Sequence, residues 1–187
     1  IVKMAKATFA RYDDVINDEI QFRYVLQSVK AIDSVGCDKT LRDIHIARQL
    51  YGVIDHLCKP LSDKMMKLVE DDLPFARKAV LDLNDKYLAI QKRDISKSAS
   101  LKSADAVKEM SDGEKILRKL IEPYKGKIIL LDIWGTWCGP CKAALSHSQE
   151  EYERLAPYDM VFLYLANRSS DESWKNVIKE YNVTGDN

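Results

Sequence analysis

The chain has 187 residues, 46% of them apolar and 31% charged, and its 29 basic side chains match its 29 acidic ones. That composition supports a buried core in one large domain or two small ones, and a net charge of zero gives no support for nucleic-acid or anionic-membrane binding. No apolar run approaches the roughly 18 residues of a membrane span. The start at Ile1, with neither initiator methionine nor signal peptide, reads as that of a trimmed chain.

The first half predicts helices. Over 9–31, Tyr12, Val15, Ile16, Ile20, Phe22, Val25, Leu26 and Val29 form a broad apolar stripe at helical spacing. A turn over 33–39 contains Gly36. A second helix is expected from Leu41, with Thr40 as its N-cap and Asp43 three residues on, carrying the stripe Leu41, Ile44, Ala47, Leu50, Tyr51, Ile54 and Leu57. Pro60 and Pro74 mark two further starts, and the last helix runs to about Arg93. Residues 1–95 are therefore expected to form an all-helical domain. The stretch 96–111, rich in serine, lysine and alanine, reads as a linker. Ser111 and Glu114 form a capping-box pattern for a helix bearing Ile116, Leu117, Leu120 and Ile121, and 122–126 turns out of it.

Residues 127–142, KIILLDIWGTWCGPCK, organise the second half of the chain. The apolar, β-branched and aromatic run at its start predicts a buried parallel strand. Gly135 and Thr136 stop that strand, and Lys142, Ala143, Ala144 and Leu145 favour a helix, expected to continue to about Leu155. A second apolar run over 160–166 predicts another strand, and Ser170 or Asp171 caps a helix ending near Tyr181. The order β-α-β-α implies a parallel pair joined by a crossover.

Cys138 and Cys141 thus fall at a strand-to-helix junction, the first at the helix N-terminus and the second one turn in. Free N–H groups and the dipole stabilise a thiolate there. The two-residue spacing lets the second sulfur resolve a mixed disulfide. Pro140 suits the first helical turn, where its missing N–H is not needed. A bare Cys-X-X-Cys also serves zinc sites, but WCGPC between a strand and a helix is far more specific.

On these residues, 112–187 resembles the thioredoxin superfamily. The flank from Gly126 through Asp132 and Trp134 to Cys138 looks most like its TlpA-like branch of exported thiol-disulfide oxidoreductases. The resemblance implies a partial thioredoxin-like α/β fold, with 1–95 as a helical accessory domain: a packed scaffold, or else a dimerisation or docking module. It makes Cys138 the nucleophile, Cys141 the resolving cysteine, and Asp132 the buried acid that accepts a proton. A strand-end turn bond is the plainer role for Asp132. Trp137, Gly139 and Pro140 would face the substrate, with Trp137 shielding the sulfurs, while Trp134 packs in the core. The redox-active group is the cysteine pair itself, with no other cofactor and no metal. The Gly-Pro insert points to a reductase acting on protein disulfides and re-reduced by an external thiol donor. The implied place is extracytoplasmic, in a bacterial periplasm, with a lipid anchor as an option.

Two departures from the family pattern stand out. Ser146 occupies a position where the family helix often carries a proline, so its kink is expected to be weak or absent. No proline follows the second strand, so the cis-proline loop and later strands are missing, as in a C-terminally truncated domain. Exposed strand edges would then favour association, including a homodimer paired through them. Cys37 and Cys58 flank a helix roughly 25 Å long, beyond the reach of a disulfide, and read as buried thiols. His45, His56 and His147 show no metal spacing with the cysteines. A peroxiredoxin-like peroxide reductase is a competing activity, but it needs a threonine where Gly135 stands. A helical interaction module with an inactive redox remnant is the non-enzymatic alternative.

Overall fold

The computed structural model describes residues 17–95, 107 and 109–183. Among these residues four helices come first: α1 (Asp18–Val35), α2 (Lys39–Leu57), α3 (Asp63–Asp72) and α4 (Arg77–Gln91). Residues 1–16, and with them the start of the helix expected at Phe9, lie outside the described residues, as does most of the expected linker. Asn17 caps α1 by accepting from the N–H groups of Glu19 and Ile20, and Gly36 ends it at φ 64°, a left-handed turn that costs glycine little.

The cap of α2 corrects the sequence reading. Asp38, not Thr40, holds the N-cap and accepts from the Thr40 N–H. Asp43 is 1% exposed and serves a distant loop, where its Oδ2 accepts from the backbone N–H groups of Phe75 and Ala76 ahead of α4. Asn84 plays the same part for the loop before α3, its Oδ1 accepting from the Leu61 N–H at 2.8 Å. Buried polar side chains of this kind are tolerated because backbone donors satisfy them.

α2 runs unbroken through Gly52 and places Ile46, Leu50, Ile54 and Leu57 in the core against α1, α3 and α4. Each such side chain stabilises the fold by about 1.5–3 kcal/mol relative to exposure. Because α2 is continuous, Cys37 and Cys58 sit at its two ends as free thiols. Cys58 is fully buried, but Cys37 is only partly so, contrary to the expectation for it.

The second half contains α5 (Gly113–Ile121), a 3-10 turn (Glu122–Tyr124), β1 (Ile128–Trp134), α6 (Gly139–Leu145), α7 (Ser148–Leu155), β2 (Met160–Ala166) and α8 (Asp171–Tyr181). β1 and β2 pair in parallel, from Ile128 opposite Met160 to Trp134 opposite Ala166. The expected β-α-β-α core of a partial thioredoxin-like fold is thus present behind an all-helical first half. Asp112, one residue past the expected Ser111, caps α5 and accepts from Glu114 and Lys115 N–H groups. None of the apolar stripe of α5 is buried. β1, expected to be buried, is covered only in part: Ile128 and Ile133 are each 62% exposed.

The long helix expected after the cysteines is two helices. The chain breaks at Ser146 and His147, where Ser146 Oγ donates to the Ala143 carbonyl and the His147 N–H reaches back to Ala144 rather than one residue further. A serine that bonds its preceding turn bends a helix without proline, so the kink expected to be weak or absent is present.

One buried cluster joins both halves, from Val25, Leu50 and Tyr87 to Trp134, Leu145, Phe162, Val177 and Val183. α4 packs on α8. Around that contact the Tyr87 hydroxyl donates to Glu180 at 2.9 Å, Arg93 to the Lys179 carbonyl at 3.0 Å, and Lys179 to the Gln91 carbonyl at 2.9 Å.

Candidate active site

The site lies where β1 ends. Cys138 is the N-cap of α6, in extended conformation, and its sulfur accepts from the Cys141 N–H at 3.3 Å. The two cysteines are joined as a disulfide with Cα atoms 5.2 Å apart. Both are partly buried. Gly139 and Pro140 are exposed at the tip, and Pro140 occupies the first turn of α6, as a ring without an N–H should.

The loop between β1 and α6 is clamped by the loop after β2. The Trp137 indole N–H donates to the Asn167 carbonyl at 3.3 Å, the Thr136 N–H donates to Ser169 Oγ at 3.0 Å, and the Asn167 N–H donates to the Trp134 carbonyl at 2.7 Å. Gly135 is required by close approach: a Cβ there would stand 2.5 Å from the Trp137 indole nitrogen and 3.0 Å from the Asn167 carbonyl. Trp134 is 2% exposed and packs in the core, as expected of it.

Asp132 sits in the middle of β1, paired in register with Tyr164. Burial pushes its carboxyl above the usual range, and Glu151 adds repulsion. Its carboxyl makes no hydrogen bond among the described residues. Of the other titratable candidates, His45 bonds Ser28 Oγ at 2.6 Å and His147 is exposed beside Glu150. No cluster of metal-ligating side chains occurs among the described residues.

Sequence reasoning missed a second layer of the site. Lys142, directly after Cys141, is 7% exposed and donates to the Asp55 carbonyl at 2.7 Å. The Cys58 sulfur, at the left-handed end of α2 (φ 51°), lies 3.5 Å from the Thr136 carbonyl and 3.7 Å from Lys142 Nζ. Asn176 of α8 fixes that corner by donating to the Cys58 carbonyl at 2.9 Å. The only local trace of this role was helical phase, since Lys142 stands three residues before buried Leu145.

No family model matches the chain, and no solved structure matches it. Curated relatives do. Thiol-disulfide oxidoreductase ResA of Bacillus thuringiensis is 32% identical over 72 residues, 38% of this chain and 40% of the relative. The Bacillus subtilis protein of the same name is 29% identical over 77 residues, 41% of each chain. Thioredoxin of Coprinus comatus is 40% identical over 37 residues, 20% of this chain and 35% of that one. The chain therefore spans about two fifths of the length of the ResA relatives it matches. With the strand, the paired cysteines and the parallel crossover in place, the matched stretch is similar to the thiol-disulfide oxidoreductases of the thioredoxin superfamily.

Proposed function

We propose that this protein is a thiol-disulfide oxidoreductase working through Cys138 and Cys141. The observation that carries the reading is the pair itself, bonded across the first turn of α6 just after β1. The Cys141 N–H aimed at the Cys138 sulfur is a donor that favours thiolate over thiol at Cys138. In the reducing direction, the Cys138 thiolate attacks one sulfur of a partner disulfide and the other leaves as a thiolate. Cys141 loses its proton and attacks Cys138, releasing the second partner thiol and leaving the disulfide seen here. Asp132, with its raised carboxyl, is the proton acceptor in this scheme. Trp137, Gly139 and Pro140 form the surface that meets the partner. An external thiol donor returns the pair to the dithiol. The Gly-Pro insert favours the reductive direction, and an extracytoplasmic setting suits a chain similar to these relatives. No helix among the described residues is long and apolar enough to cross a membrane. The incompletely covered β1 offers an edge through which two copies could pair.

Pulse alkylation of the reduced chain at neutral pH tests the assignment. Cys138 is expected to react first, Cys141 more slowly, and Cys58 last. Replacing Cys138 by serine should abolish reduction of insulin by the dithiol, and replacing Cys141 by serine should trap mixed disulfides. Preferential labelling of Cys141 reverses the roles.

A further inference from the structure

Lys142 is an unusual lysine. Its ammonium is withdrawn from water and, among the described residues, is met by the end of α2: the Asp55 carbonyl at 2.7 Å, Asp55 Oδ1 at 3.5 Å and the Cys58 sulfur at 3.7 Å. Burying an ammonium is costly unless such partners are supplied. Here they come from residues at least 84 positions earlier in the chain. The Asp55 side chain is 63% exposed, so solvent weakens its neutralising effect, while the lysine side chain is 9% exposed. The same Cys58 sulfur also touches the Thr136 carbonyl, two residues before Cys138. One thiol therefore separates the ammonium from the loop leading into the first cysteine, and one peptide bond separates its residue from the second.

A disulfide is neutral, whereas a dithiol at a helix start carries its charge as a thiolate. A positive charge on the surface would be screened by salt, but a desolvated one on the residue that follows Cys141 is screened far less. Its field is felt by its neighbours. His56 is pushed below its usual range first by burial and then by Lys142, and Lys142 opposes the upward push of burial on the Cys58 thiol.

We propose that Lys142 is a positioning residue for the redox pair: anchored by the end of α2, it biases Cys138 and Cys141 toward the dithiol, so that the helical half sets the equilibrium of the redox half. The inference rests on the oxidoreductase reading above.

The test is the dithiol–disulfide equilibrium of the full chain in glutathione redox buffers at pH 7, with the fraction reduced read by thiol trapping. Lys142→Met is expected to shift the equilibrium constant about tenfold toward the disulfide, the scale of one removed, poorly screened charge. Lys142→Arg should stay within about threefold of the parent, because it restores the charge. Asp55→Asn removes the opposing charge and should move the equilibrium the other way, by roughly twofold to threefold given its exposure. Opposite signs are the signature, because loss of a merely structural tie would move both variants alike. Shifts of the same sign, or a folded Lys142→Met at the parent value, overturn the proposal. Should Lys142→Met fail to fold, Asp55→Asn decides alone: a shift toward the dithiol supports the proposal, and no shift or the reverse overturns it. A parent chain with no measurable dithiol–disulfide equilibrium overturns the oxidoreductase reading as well.

Discussion

Gly135 and Asp132 show how narrowly single side chains are constrained beside the cysteines. A methyl on Gly135 would drive into the Trp137 indole and approach the Asn167 carbonyl, the group that holds that indole. Gly135→Ala is expected to cost about 1–3 kcal/mol, as overpacking does. The double variant with Trp137→Ala should cost less than the two singles combined, because the clash goes with the ring. Urea unfolding of the three variants checks this, and strict additivity would contradict the clash. Asp132 acts through linkage. Its raised carboxyl means that the folded chain keeps the proton to a higher pH than the unfolded chain, so stability falls as pH rises from about 4 through the raised value. At neutral pH the ionised group is a net cost. Asp132→Asn should therefore be at least as stable as the parent at pH 7 and lack that part of the pH dependence. Urea midpoints at pH 4 and pH 7 measure both.

Among the elements, those whose signals are local were legible in the sequence. The apolar run of β1, the stop at Gly135 and Pro140 in the first turn of α6 all act within a few residues, and β1 and the start of α6 lie where those residues put them. The caps were displaced by one or two residues, at Asp38 for Thr40 and at Asp112 for Ser111, because neighbouring side chains compete for the same N–H groups and the turn geometry decides. The apolar stripe of α5 was legible but its lack of cover was not, because periodicity says which residues share a face and not what covers it. Asp43 was misplaced for a related reason, since its partners at Phe75 and Ala76 lie more than 30 residues on. Removing it would strand two N–H groups at the entry to α4. Asp43→Ala is expected to lose about 1–3 kcal/mol in denaturant unfolding, the cost of unpaired buried donors. A loss below about 0.5 kcal/mol would mean that water replaces the carboxylate.

At the scale of the molecule, the helical half is part of the redox half's interior. Val177 and Trp134 share a buried cluster with Leu50 and Tyr87, and the partners of Lys142, Asn176 and Glu180 lie on α2 and α4. None of this was legible, because contacts between residues 80 to 120 positions apart leave no local pattern. A chain beginning at residue 109 would expose that cluster and strand those polar groups. It is expected to show no cooperative transition in urea by circular dichroism, where the full chain unfolds in one step. A sigmoidal transition from the short chain would show that the two halves fold independently.

The sulfur of Cys58, wedged between the end of α2 and the Thr136 carbonyl and 0% exposed, has a kinetic meaning as well. No reagent reaches it until the helical half lifts away from the loop ahead of Cys138. The speed at which a small electrophile consumes that thiol in the folded protein is therefore a clock for this local opening. Run once on the oxidised and once on the reduced chain, the same clock would tell whether closing the Cys138–Cys141 bond changes how often the two halves part.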